Sequence, residues 1–172
     1  YDRYLAHDVA PAFDPSLSGG VLYDLNVYNL SLIAALFGRP QSAVYTANIG
    51  FNGIDTSGVM TLRYNGFVAT AAAAKDSSSP SFFMIQGESG WIRADGPPNE
   101  LTSFTVGLRG REEKTYALNR HAHRMVHEFE AMRDIFARKD YMSVEEGLQI
   151  SRMVIALMEK ARLVAGIQFR VD

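Results

Sequence analysis

The chain has no cysteine among its 172 residues. That absence excludes disulfides, thiolate nucleophiles and cysteine-held zinc or iron–sulfur sites within it. It accords with a reducing, cytoplasmic setting. There is no excess of positive charge either: 17 Lys and Arg stand against 19 Asp and Glu, a net charge of −2. A chain so balanced has no basic field to neutralise phosphates, so nucleic acid is not an expected partner. No apolar run is expected to reach membrane-spanning length, and the opening YDRYLAHD lacks the form of a signal peptide. No membrane partner is expected. Glycine-rich phosphate loops of the GxGxxG and P-loop kinds are missing, as is the Gly-x-Ser-x-Gly elbow of hydrolases. Ser89 in Gly87-Glu88-Ser89-Gly90 has the spacing of a hairpin turn instead.

What is present suits a soluble globular protein, with 47% apolar and 21% charged residues. The length fits one domain around a single core. An aromatic-rich start without methionine reads as a fragment or processed product of a longer protein.

Up to about Ser18, Pro11 and Pro15 suggest an extended lead-in. Gly19-Gly20 then opens a helical segment to Phe37, stopped by Gly38 with Pro40 behind it. Segments 43–49, 58–64, 67–74, 81–87, 90–94 and 101–107 are short and rich in β-branched and aromatic residues. Asn65-Gly66 marks a two-residue hairpin turn, and a second hairpin turns at Glu88–Gly90. A helix over 121–138 follows, with Met125, Phe129, Met132 and Phe136 at helical spacing. Ser143 and Glu146 form a capping box that starts the next helix, which runs to Gly166. The run IQFRV closes as a strand. The expected class is α+β: an open, mainly antiparallel β-sheet of about six strands with helices packed on one face. FVATAAAA and SFFMI are apolar on both alternations. A covered core strand and a second subunit packed against the sheet both account for this.

The helix after Gly20 carries the candidate chemistry. Asp24, Tyr28 and Ser31 fall at i, i+4 and i+7, on one face of an α-helix. An acid and a phenol one turn apart would grip a substrate hydroxyl. The competing reading makes Asp24 a helix cap and Tyr28 half-buried packing. His123 and His127, with Glu128 adjacent, have the i, i+4 spacing of zinc ligands, but HExxH is absent and Arg120 and Arg124 flank them. A solvated helix face is the favoured reading, and no metal site is assigned. Asn29-Leu30-Ser31 fits a glycosylation sequon but lies within an apolar helix.

The run S-G-G-V-L-Y-D-L-N-V-Y-N-L followed by L-F-G-R-P resembles the G-G-G-x-L-x-D-x-G-x-H/Y segment of the glucose-fructose oxidoreductase/inositol dehydrogenase/MocA family. FFMIQGESGWI, MVHEFEAM and SVEEGLQISRMVIALMEKAR resemble its later hairpin and two closing helices, so the likeness runs through nearly the whole chain. It implies that residues 1–172 are the C-terminal substrate-binding and oligomerisation domain of an enzyme whose dinucleotide-binding domain lies outside this chain. It further implies hydride transfer between NAD or NADP and a sugar or polyol; the apolar character of FVATAAAA and SFFMI makes a homo-oligomer through the sheet face the expected partner. The family's Asp and His/Tyr correspond to Asp24 and Tyr28, the expected catalytic pair. Asn26, which replaces the usual Gly, together with Asn29 and Ser31, are the expected substrate contacts. An isolated phenol, with a pKa of about 10, is a poor base at neutral pH. The family's E-K-P lysine, in the other domain, would supply the activating charge, so the fragment alone is expected to be inactive and to bind no dinucleotide tightly. Two other readings remain: a non-catalytic sugar- or nucleotide-sensing relative, and a purely structural oligomerisation domain.

Overall fold

The computed structural model describes residues 1–169. The class is α+β with antiparallel pairing, and the chain divides into two compact units. The first comprises Tyr1–Ser78 and the chain from Glu146 onward; the second is Ser79–Glu145. The single core expected from length is therefore the core of the first unit.

In that unit, β1 (Ser42–Ile49), β2 (Asp55–Arg63) and β3 (Val68–Ala74) form a meander. The Asn65-Gly66 turn joins β2 to β3 as expected: Gly66 takes φ 88° and the Tyr64 N–H donates to Phe67 O at 3.0 Å. Side chains alternate across the sheet. Tyr45, Met60, Leu62 and Ala71 face inward and are buried, while Val44, Val59 and Val68 face outward and are exposed. Helices α2 (Val27–Phe37) and α4 (Tyr141–Val164) cover the inner face. Leu30 and Ala34 of α2, at i, i+4, join Val154, Met158 and Ala161 of α4, at i, i+4 and i+7, in one core cluster there. Full burial of side chains such as Leu30 or Met60 contributes roughly 1.5–3 kcal/mol each.

The lead-in is less extended than expected. It forms a short helix, α1 (Asp2–Leu5), and two 3₁₀ turns at Pro11–Phe13 and Pro15–Leu17. Tyr4, buried, stacks between Phe13 and Phe51 at 4.8 and 4.4 Å between ring centroids. The stretch Pro15–Phe37 also corrects an expectation, because it is long and apolar enough to pass for a membrane span by length and composition. Its backbone is broken into a 3₁₀ turn, a π turn and α2, and Val21, Leu22, Leu30 and Ala34 are buried in the unit.

The second unit holds β4 (Phe82–Gly87), β5 (Gly90–Asp95), β6 (Phe104–Leu108) and β7 (Lys114–Tyr116), again antiparallel. The hairpin at Glu88-Ser89 stands where expected, with Gly87 paired to Gly90. Thus, among the described residues, the strands number seven in two ladders of three and four, rather than about six in one. The ladders part at Lys75–Pro80. The Asp76 carboxylate there is drawn to the Thr56 and Ser57 hydroxyls, and Pro80 has no N–H to give a ladder. Helix α3 (Met125–Arg138) follows. Helix α4 begins at Tyr141, not Ser143, because the Asp140 carboxylate accepts the Ser143 N–H at 3.1 Å and its hydroxyl at 2.9 Å. Of the expected last strand, Ile167–Phe169 is not strand, and residues 170–171 lie outside the described range.

Candidate functional site

The segment Leu22–Asn26, which contains Asp24, is a π turn leading into α2. Such i→i+5 turns are uncommon and recur at functional sites. Its cause lies 33 residues along the chain. The buried Asp55 carboxylate accepts the Leu22 N–H at 2.7 Å and the Tyr45 hydroxyl, serving as the cap that a local Ser or Thr usually supplies. Burial, then the bond to Asp55, pushes the Tyr45 phenol well above its ordinary range. Gly20 is required beside it: φ is 124°, and a Cβ would collide with the Asp55 carboxylate. Asp24 is therefore not the helix cap.

Asp24 instead forms an ion pair with Lys75, its Oδ2 lying 2.8 Å from Nζ. The Lys75 side chain is only 7% exposed and that of Asp24 is 49% exposed. Nζ also donates to Ala12 O at 2.6 Å and lies 4.8 Å from the Phe13 ring centroid. The strand end that carries Lys75 is pinned twice. The Lys75 N–H donates to Thr56 O at 2.8 Å, and the next carboxylate, Asp76, accepts from Thr56 and Ser57. These bonds, Thr56 first, hold the Asp76 carboxyl below the usual range.

Tyr28 is 45% exposed on α2, and Ser31 is half-buried one turn on. The π turn widens the helix between Asp24 and Tyr28, so the strict i, i+4 stacking expected of an α-helix does not apply there. Asn26 is placed differently from expectation. It is fully buried; its amide donates to Ala71 O at 3.1 Å and its carbonyl accepts from Asn29 Nδ2 at 2.9 Å. Asn29 also donates to Ala72 O at 3.1 Å. Both side chains fasten the helix to the β3 backbone, and the buried Asn26 has both amide atoms engaged within the fold. The Gly-to-Asn departure thus supplies a structural tie. Asp24 and Lys75 meet across 51 positions, a pairing no local pattern announces.

The histidines also rearrange. His121, His127 and Glu130 gather with their ligating atoms within 4.8 Å, while His123 Nδ1 accepts the Met125 N–H. His127 Nε2 accepts the Arg120 N–H at 3.3 Å, which puts the ring proton on Nδ1, the atom facing Glu130. Glu130 is hydrogen-bonded to His121 Nε2 at 3.2 Å through Oε1, whereas its Oε2 stands 3.9 Å from His127 Nδ1, beyond hydrogen-bonding reach.

The GFO/IDH/MocA C-terminal domain model matches residues 1–93, the stretch containing Asp24, Tyr28 and Lys75. The chain belongs to this family. Two curated relatives are each 29% identical over all 172 residues: the oxidoreductase YgjR of Escherichia coli (strain K12), and the scyllo-inositol 2-dehydrogenase (NADP(+)) IolU of Bacillus subtilis (strain 168). The chain spans 52% of the length of each. Its fold is shared with the aldose-aldose oxidoreductase of Caulobacter crescentus, solved with glycerol. The TM-score is 0.60 at 19% identity, over 84% of this chain and 46% of that one. An oxidoreductase of Klebsiella pneumoniae gives a TM-score of 0.61 at 14% identity, over 89% and 51%. As a GFO/IDH/MocA domain, the chain is part of an oxidoreductase family.

Proposed function

We propose that this chain is the substrate-binding half of an NAD- or NADP-dependent oxidoreductase acting on a sugar, polyol or related carbinol, in a cytoplasmic protein. The supporting observation is Asp24: a half-exposed carboxylate backed by the buried Lys75, in the helical segment that also carries the half-exposed Tyr28 phenol. Two clefts of about 350 and 410 Å³ lie elsewhere, around Trp91 and Arg109 and around Phe51 and Asn52. A half-exposed site suits completion by a second domain. The dinucleotide belongs to that domain, since this chain offers no glycine-rich phosphate cradle. When bound, the nicotinamide supplies the hydride acceptor. Asp24 accepts a substrate O–H and fixes the carbinol, and the Tyr28 hydroxyl takes part in moving the proton lost from oxygen.

Steady-state dinucleotide reduction by the full-length protein tests this. Tyr28→Phe and Asp24→Asn should each lower turnover by about 10²-fold, the usual size of a general acid–base contribution, with dinucleotide affinity nearly unchanged. Full activity in both variants would overturn the assignment.

The outward face of the β1–β3 sheet serves, on this reading, as a contact with a second copy of the protein. Val44, Val59 and Val68 are exposed on it among Thr46, Thr61, Thr70 and Ala72, with Arg63 paired opposite Val68 toward its edge.

A further inference from the structure

Lys75 has more partners than a surface lysine and a more costly position. Taking an ammonium out of water is unfavourable unless its donors are satisfied. Here Asp24, Ala12 O and the Phe13 ring surround it. For stability alone, an apolar side chain of similar volume would serve as well. What the pair adds is orientation. A carboxylate has two acceptor oxygens. Lys75 engages Oδ2 of Asp24 from the buried side, and about half of the Asp24 side chain stays outside. The neighbouring charge also offsets that of Asp24. An unpaired carboxylate would attract amines as readily as alcohols; a paired one keeps its acceptor oxygen but loses much of its pull on cations.

We infer that Lys75 is a positioning residue: it holds Asp24 in one orientation, with an oxygen offered to a substrate hydroxyl, and biases the site toward uncharged polyhydroxylated substrates. This rests on Asp24 being a substrate contact, as proposed above. Lys75 itself touches no substrate.

The test uses the full-length protein with scyllo-inositol and a panel of other uncharged polyols and aldoses, comparing Lys75→Met, Lys75→Arg and Asp24→Asn. Lys75→Met should raise KM for the polyol by about tenfold or more and leave KM for the dinucleotide unchanged. Lys75→Arg should restore most of the loss. In an Asp24→Asn background, Lys75→Met should add less than about threefold, because the two act as one unit. If Lys75→Met does not fold, Lys75→Gln, which keeps a donor for Ala12 O, takes its place. A polyol KM within about twofold of wild type, with or without a lowered melting point, overturns the role of Lys75 provided Asp24→Asn is impaired. Fully additive defects overturn it too. An undiminished Asp24→Asn enzyme, or no wild-type turnover with any of the panel, overturns the reading of the site together with it.

Discussion

Asp55 has more influence on the candidate site than its place on a strand suggests. It is buried and satisfies two donors, the Leu22 N–H and the Tyr45 hydroxyl. Asp55→Ala leaves both unpaired and should cost about 1–3 kcal/mol in equilibrium urea unfolding; Tyr45→Phe, which removes one bond, should cost about 1 kcal/mol. Tyr23 gives a test by pH. Burial and its bond to Glu159 push its phenol up to about 12, from an ordinary value near 10. The folded state therefore keeps a proton that the unfolded state gives up. The stability this phenol contributes is whole below about pH 10 and is lost as pH rises toward about 12. Melting temperature followed through that window should fall, less steeply in Tyr23→Phe. At this scale Asp24 and Tyr28 were legible from the motif alone, while their surroundings were not. Lys75 reads as an ordinary charge after a strand, and Asn26 reads as a substrate contact. Only the closure of helix onto β3 gives each its partner.

Among the elements, the helix α4 start depends on Asp140. Its carboxyl is held below the usual range, first by the Ser143 N–H and then by the Ser143 hydroxyl. The cap is thus in place above the ordinary Asp range and is lost as pH falls through the lowered value. Far-ultraviolet dichroism should show α4 losing helix at its first turn on acidification, and Asp140→Ala should show the same loss at neutral pH. Hairpins were the most legible parts of the chain, because Asn65-Gly66 and the Gly87–Gly90 turn encode their own geometry. The stop of α2 was legible for the same reason, with Gly38 at φ 70°. The α4 start was misplaced by two residues, since Ser143 and Asp140 are both acceptable caps and only the side-chain bonds choose. β7 escaped notice because Lys114–Tyr116 is three residues long and follows Glu112-Glu113. The π turn was not legible at all: its cap comes from another strand, and helical periodicity assumes 3.6 residues per turn.

For the molecule as a whole, the proposed self-association has a direct check. Val59 lies on the central strand of the three, facing outward. Val59→Lys should convert the full-length oligomer to a smaller species by light scattering, without loss of helix content. An interface of this kind buries about 1,000 Å² or more, and a lysine at its centre leaves a desolvated charge. A wild-type monomer at high concentration would overturn the contact. The distant cap also sets an order of events in time. Helix α2 can form from its own residues, but the turn before it must wait until the β1–β2 hairpin carries Asp55 back to Leu22. On this order the bonds to Asp55 are expected to form late, after the strands have paired. Asp55→Ala should speed unfolding and leave the refolding limb of the chevron almost unmoved. The segment bearing Asp24 would be among the last parts of its unit to settle and the first to let go.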